Sequence, residues 1–254
     1  MFIPRKLAAM GSGFEAIGEG ATNAEITRFE MDGARYFLKS VGMEYAGRAN
    51  SAIHEAEVLH WLRERLNVPR VLGRGREAAR EFFVMEELAG RHISAFAGEP
   101  ELFARILAQA VLALRAVDVA ECPFDAGVAT RLAERAQSMA DGMADIDTED
   151  WEADNPFADP VELYKWLMAN IPDFEPTFTH GDLPSNIFVD GDNISFYDIG
   201  RGGVGDKWAD IALCVRDIRR IDINKIYENL FFDLIDEKPD YKKLKYFILL
   251  DELF

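Results

Sequence analysis

The chain is poor in cysteine: Cys122 and Cys214 are its two, and they share no CxxC spacing. That scarcity supports neither a zinc site nor a disulfide framework and fits a reducing, cytoplasmic setting. Basic residues are scarce too, 28 Lys and Arg against 45 Asp and Glu, for a formal charge of −17. So acidic a balance argues against nucleic acid as a partner and favours a cationic ligand or plain solubility, a solvated surface being the default for any one carboxylate. No stretch approaches the roughly 20 apolar residues of a membrane span. The apolar run after the basic pair in MFIPRKLAAMGSGF is too short for a signal-peptide core. Internal repeats and low-complexity segments are also missing. What the 254 residues do have is 49% hydrophobic composition, enough for a core in one large domain or two modest ones.

Residues 14 to 40 alternate in hydrophobicity around the turn pair Asp32-Gly33, a hairpin signal. Apolar residues at Ile53, Ala56, Val58, Leu59, Leu62 and Leu66 predict a helix within 49–66, stopped at Val68-Pro69. Further strands are expected at 68–72 and 81–85. Beyond Gly90 the pattern becomes helical, at 99–117, 128–139, 161–170, 208–218 and through the aromatic C-terminus. The expected fold class is α+β: a small β-rich lobe over 1–90 and a larger helical lobe over 91–254. Such pairs of lobes usually form their site in the cleft between them.

The stretch FTHGDLPSNIFVD puts His180, Asp182 and Asn186 on a tight loop before a β-branched strand, and Asp198 follows in ISFYDIGRGG. A carboxylate base, an amide oxygen and a second carboxylate are what phosphoryl transfer needs, one to orient a hydroxyl and two to hold Mg2+ against phosphates. Asp and Asn also cap turns, so the loop alone leaves both readings open. The N-terminal segment adds a complement. Gly18 to Asn23 is a turn whose amides could cover phosphates, Lys39 ends a strand in YFLK, and Glu55 sits in the next helix. A strand lysine paired with a helix glutamate is the phosphate-positioning device of kinases.

In this order the residues resemble the aminoglycoside 3'-phosphotransferase family, antibiotic-resistance kinases of the two-lobed protein-kinase-like fold. The most specific stretches are DWEADNPFADPVELY, HGDLPSNIFVD, YDIGRGGVGDKWADIA and YFILLDELF. The resemblance implies transfer of the ATP γ-phosphate to a sugar hydroxyl of a polycationic aminoglycoside, with Mg2+. It makes Asp182 the catalytic aspartate, with Arg201 near the active site, and Asn186 and Asp198 the magnesium ligands. Lys39 and Glu55 match the nucleotide-positioning pair, Ala21 and Thr22 the phosphate-covering turn, and Phe37 the aromatic that stacks on adenine. Glu87 and Leu88 match the hinge that meets the adenine edge. Glu149, Asp150 and Glu152 in the acidic insert, with Asp251, Glu252 and the carboxylate of Phe254 in the tail, match the carboxylates that receive substrate ammonium groups.

The chain departs from the family in two places. Its loop reads HGDLPSN where the family has HGDxxxxN, one residue longer. At Arg220-Ile221 in CVRDIRRID, close relatives carry an acidic pair, whereas an arginine repels an ammonium group. Two rival readings follow: a kinase of the same fold acting on choline, homoserine or a ketosamine, and a nucleotide-binding protein of weak catalysis owing to the short loop.

Overall fold

Asp32 and Gly33 both take positive φ, 52° and 79°, the turn geometry that matches the twist of a tight hairpin. They join β2 (Glu25–Met31) to β3 (Ala34–Gly42), and β1 (Ser12–Glu19) precedes them. The computed structural model describes residues 1–19, 24–143, 148, 151–152, 155–222 and 226–254. With β4 (Val71–Glu77) and β5 (Arg80–Glu86) these strands form an antiparallel sheet in the order β1-β2-β3-β5-β4. The sequence places the fourth strand at 68–72; it begins at Val71 instead. Pro69 has no N–H for a ladder, and pairing starts where the Arg70 carbonyl accepts the Glu86 N–H at 3.0 Å. A short helix that sequence reading missed, α1 (Arg5–Met10), packs Leu7 against Phe29, Leu38 and Val84 on this sheet.

The structure divides into two units, Met1–His92 with Asn186–Arg201, and Ile93–Ser185 with Gly202–Phe254. Segment 186–201 therefore groups with the N-terminal sheet, beyond the boundary at residue 90 that composition suggests. Its strands β8 (Ile187–Asp190) and β9 (Asn193–Phe196) pair in the order β6-β8-β9, where β6 is Arg91–His92. Asn67 ties them further, its side-chain amide donating to Ser195 Oγ at 2.6 Å and its carbonyl accepting the Phe196 N–H at 2.9 Å.

The first unit's helix α2 (Ala52–Leu62) packs against β4 and β5. Ser51 caps it, Oγ accepting the His54 N–H at 3.1 Å. That hydroxyl donates to Oε2 of Glu81 at 2.5 Å, and Glu81, fully buried, also pairs with Arg76 at 2.8 Å. Burial alone would raise the Glu81 pKa; the hydrogen bonds from Ser51 and Arg76 outweigh it and hold the carboxyl below its usual range. A buried anion beside a helix N-terminus suits the dipole and fixes the turn that carries Glu55. Ser51→Ala removes the cap and one donor to a buried carboxylate. It should cost about 2 kcal/mol and lower Tm by about 4–8 °C, read by calorimetry.

The second unit is helical: α3 (Pro100–Arg115), α4 (Val128–Ala140), α5 (Pro160–Ala169), α6 (Trp208–Ile221), α7 (Ile226–Leu234) and α8 (Tyr241–Asp251). Helix α3 buries Phe103, Leu107, Val111 and Leu114, a helical stripe. Helix α6 packs against α8 and α3, and α3 also against α7. The strands β7 (Pro176–Thr179) and β10 (Gly203–Asp206) pair antiparallel. The second lies in GVGD, to which the sequence analysis assigns no strand. Gly205 is required there, since a Cβ would stand 2.5 Å from Thr179 Oγ1. No helix among the described residues is long and apolar enough to cross a membrane.

Candidate active site

Three residues, from β3, α2 and the segment after β9, meet in the first unit. Lys39 Nζ lies 2.6 Å from Glu55 Oε2 and 2.5 Å from Asp198 Oδ1. Lys39 and Glu55 are buried, whereas the Asp198 side chain is half-exposed. Burial works against the lysine charge, but the carboxylates of Glu55 and Asp198 outweigh it and push the Lys39 pKa up. Lys39 is therefore a fixed cation. Burial pushes the Glu55 carboxyl up to about 7, against the pull of Lys39. Its second oxygen, Oε1, is buried with no hydrogen-bond partner among the described residues. Gly200 allows this approach: a Cβ there would stand 2.8 Å from the Ala49 carbonyl and 3.5 Å from Glu55 Cβ. Asp198 itself takes φ 52°, a conformation Asp tolerates better than most side chains.

Beside this triad lies a pocket of 810 Å³, lined by Ile17, Ile26, Phe37, Met85 and Leu88 with Lys39, Glu55 and Asp198. Its size and mixed apolar and polar walls suit an organic cofactor. Phe37 and Leu88 line it, and so does Glu87, whose side chain is held by Arg35 Nε at 2.8 Å. Asn186 is buried, and its carbonyl accepts the Tyr197 N–H at 3.3 Å, so the short loop still packs its asparagine inward. Arg201 is half-buried at the end of the same segment. Asn186 and Asp198 supply hard oxygens, and among the described residues no group of three or more His, Cys, Asp or Glu could hold a metal. Hard oxygen donors of this kind are the type that suits Mg2+.

In the second unit the loop bearing Asp182 is held from beneath. His180 is fully buried, and its N–H donates to Asp210 Oδ2 at 2.7 Å, while the Gly181 N–H donates to Oδ1 at 3.0 Å. The Asp182 N–H donates to His180 Nδ1 at 3.3 Å. Gly181 takes φ 85°, which turns the chain sharply before Asp182. Asp210 is buried in α6; desolvation raises its pKa against the Coulombic pull of His180 and the two backbone bonds. Sequence reading missed it. The available signal was a lone carboxylate in the apolar run WADIALCV.

The tail and the insert also converge within the second unit. Glu252 Oε1 accepts the Glu152 N–H at 2.9 Å, Asp251 Oδ2 pairs with Arg216 Nη1 at 2.6 Å, and Arg131 lies 4.8 Å over the Phe254 ring. Burial raises the Glu252 pKa most, with the Glu152 and Asp251 charges adding to it. Ala21, Thr22, Glu149 and Asp150 lie outside the described residues.

The β-rich and helical units, the buried lysine–glutamate pair and the HGD loop define a phosphotransferase of the kinase-like α+β class. The chain matches the model of the Phosphotransferase enzyme family over residues 13–247 and belongs to that family. It is 40% identical to an aminoglycoside 3'-phosphotransferase of Campylobacter jejuni over 236 residues, which covers 93% of this chain and 94% of that one. Among solved structures it is similar to an aminoglycoside-3'-phosphotransferase of type VIII, with TM-score 0.79, 27% identity and coverage of 95% and 93%. An aminoglycoside phosphotransferase of Streptomyces rimosus, solved with ADP and streptomycin, shares the fold at TM-score 0.80 and 21% identity over 98% of this chain and 95% of that one.

Proposed function

We propose that this enzyme transfers the γ-phosphate of ATP to the 3'-hydroxyl of an aminoglycoside antibiotic and so confers resistance. The observation that carries the reading is the Lys39–Glu55–Asp198 triad beside a cofactor-sized pocket, in a chain 40% identical to a protein of that activity. In this reading Phe37 and the 87–88 backbone receive the adenine, Lys39 holds phosphate oxygens, and Glu55 holds Lys39. Asn186 and Asp198 would bind Mg2+, which when present neutralises charge on the phosphates. Asp182 orients the 3'-hydroxyl and takes its proton as the oxygen bonds to the γ-phosphorus. The bond from that phosphorus to the bridging oxygen breaks, and ADP leaves. Arg201 steadies the segment after Asp198, and Ala21 and Thr22 cover the phosphates. We place the reaction in the cytoplasm, where Cys122 and Cys214, both free thiols, stay reduced.

Glu149, Asp150, Glu152, Asp251, Glu252 and the Phe254 carboxylate are the proposed receptors for ammonium groups. Deleting the tail is a poor test, because Leu253 is fully buried and its loss would unsettle the core. Glu252→Gln is cleaner: the amide oxygen still accepts the Glu152 N–H while the charge goes. It should raise the aminoglycoside KM about fivefold, near the ~1 kcal/mol of an accessible charge pair, and leave the ATP KM alone. The reading as a whole is tested by ADP release from ATP and Mg2+ with and without kanamycin. Release that depends on kanamycin supports it; release on choline or homoserine, or none at all, contradicts it.

A further inference from the structure

Within the second unit a pocket of 400 Å³ is lined by Glu152 and Glu252 but also by Arg216, Arg219, Arg220 and Lys245. Four cationic side chains against two carboxylates is an unexpected lining for a receptor of ammonium groups. The carboxylates are moreover engaged from within the chain. Arg220 Nη2 is hydrogen-bonded to Glu152 Oε1, and its Nη1 lies 3.3 Å from Asp217 Oδ1. Arg216 pairs with Asp251 at 2.6 Å and with Asp217 at 3.2 Å. Arg219 is a different case, bound by both its Nε and Nη2 to the buried Glu228 at 2.8 Å, a structural pairing. Arg220, with 53% of its side chain accessible, and Lys245 are the exposed cations of the lining, and of the two Arg220 is the one hydrogen-bonded to a pocket carboxylate among the described residues.

We propose that Arg220 is a specificity-determining residue: its pairing with Glu152 withdraws that one carboxylate from the ammonium receptors proposed above, so aminoglycosides that present a hydroxyl beside Glu152 are favoured while Glu252 keeps its ammonium. The inference rests on the kinase reading above and narrows its substrate class. An ammonium group approaching Glu152 must displace the guanidinium and remain near it, and like charges brought together discriminate between ligands. A hydroxyl needs no displacement, because it can accept from the guanidinium where it stands. The pairing is solvent-accessible, so its effect is modest and salt-dependent.

The test compares wild type, Arg220→Ala, Arg220→Glu and Lys165→Ala, the last removing the same charge from an exposed position on α5 outside this pocket. Kanamycin binding is measured by calorimetry at low and high salt, alongside ADP release. Arg220→Ala should bind kanamycin about three- to fivefold more tightly, on the scale of an accessible ion pair. Arg220→Glu should go further. Lys165→Ala should match wild type, the gains should shrink at high salt, and the ATP KM should stay fixed. Equal or weaker kanamycin binding by both Arg220 variants, including no binding by any protein, overturns the proposal, as does an equal gain from Lys165→Ala. Failure of the kinase reading is separate: wild type would then release no ADP, while the binding comparison would still decide the role of Arg220.

Discussion

Asp182→Asn should lower kcat by about 10²- to 10⁴-fold, the range of a positioned acid–base group, and leave nucleotide binding intact. The division of the chain makes the separation clean. Asp182 stands in the second unit, on a loop fixed by Asp210 through the His180 and Gly181 amides. The cofactor-sized pocket is lined entirely by residues of the first unit. The amide is isosteric with the carboxylate and leaves the Asp182 N–H to His180 in place, so the loop keeps its shape and loses only the base. Single-turnover kinetics with ATP binding by fluorescence check both halves. Near-normal turnover would remove Asp182 from the catalytic role.

The second large effect is expected at Asp198. Asp198→Asn tolerates the φ of 52° that the position demands, keeps the side-chain size and removes the charge. The Lys39–Glu55 contact at 2.6 Å does not depend on it, so the folded state should survive. What goes, on the proposed reading, is a charged group that would hold Mg2+ beside the nucleotide. Loss of outer partners of a metal site costs about 10- to 100-fold, so loss of a direct ligand should weaken Mg2+-dependent ATP binding by at least about 100-fold. Titration of ATP with and without Mg2+ reads this directly; unchanged affinity for the complex would refute the assignment.

Local order and periodicity made much of this legible in the sequence. The Asp32-Gly33 hairpin, the α2 and α3 stripes and the α+β class follow from spacing alone, because turn chemistry and helical period act over a few residues. The candidate pairing of Lys39 with Glu55 was legible for another reason: strand and helix are neighbours in sequence. Two other buried carboxylates were not legible. Nothing in the local pattern singles out Glu81 or Asp210, and only the fold shows that one anchors the α2 cap and the other the HGD loop. Likewise Arg220 and Glu152 are 68 residues apart; sequence marks the arginine as out of place without naming the carboxylate it engages. Strand β10 escaped because its glycines carry no strand propensity and answer instead to the close approach of Thr179.

The central claim is regiospecific transfer to the 3'-hydroxyl, and the most direct measurement is ADP formation with kanamycin and with its 3'-deoxy analogue, with Mg2+ and ATP fixed. The deoxy compound keeps the ammonium groups that the proposed carboxylates receive, so it should bind and compete with kanamycin. The account predicts ADP release with kanamycin, none above background with the analogue, and phosphorus NMR coupling that places the product phosphate at the 3' position. Equal ADP release from both compounds, or phosphate found at another hydroxyl, would contradict it.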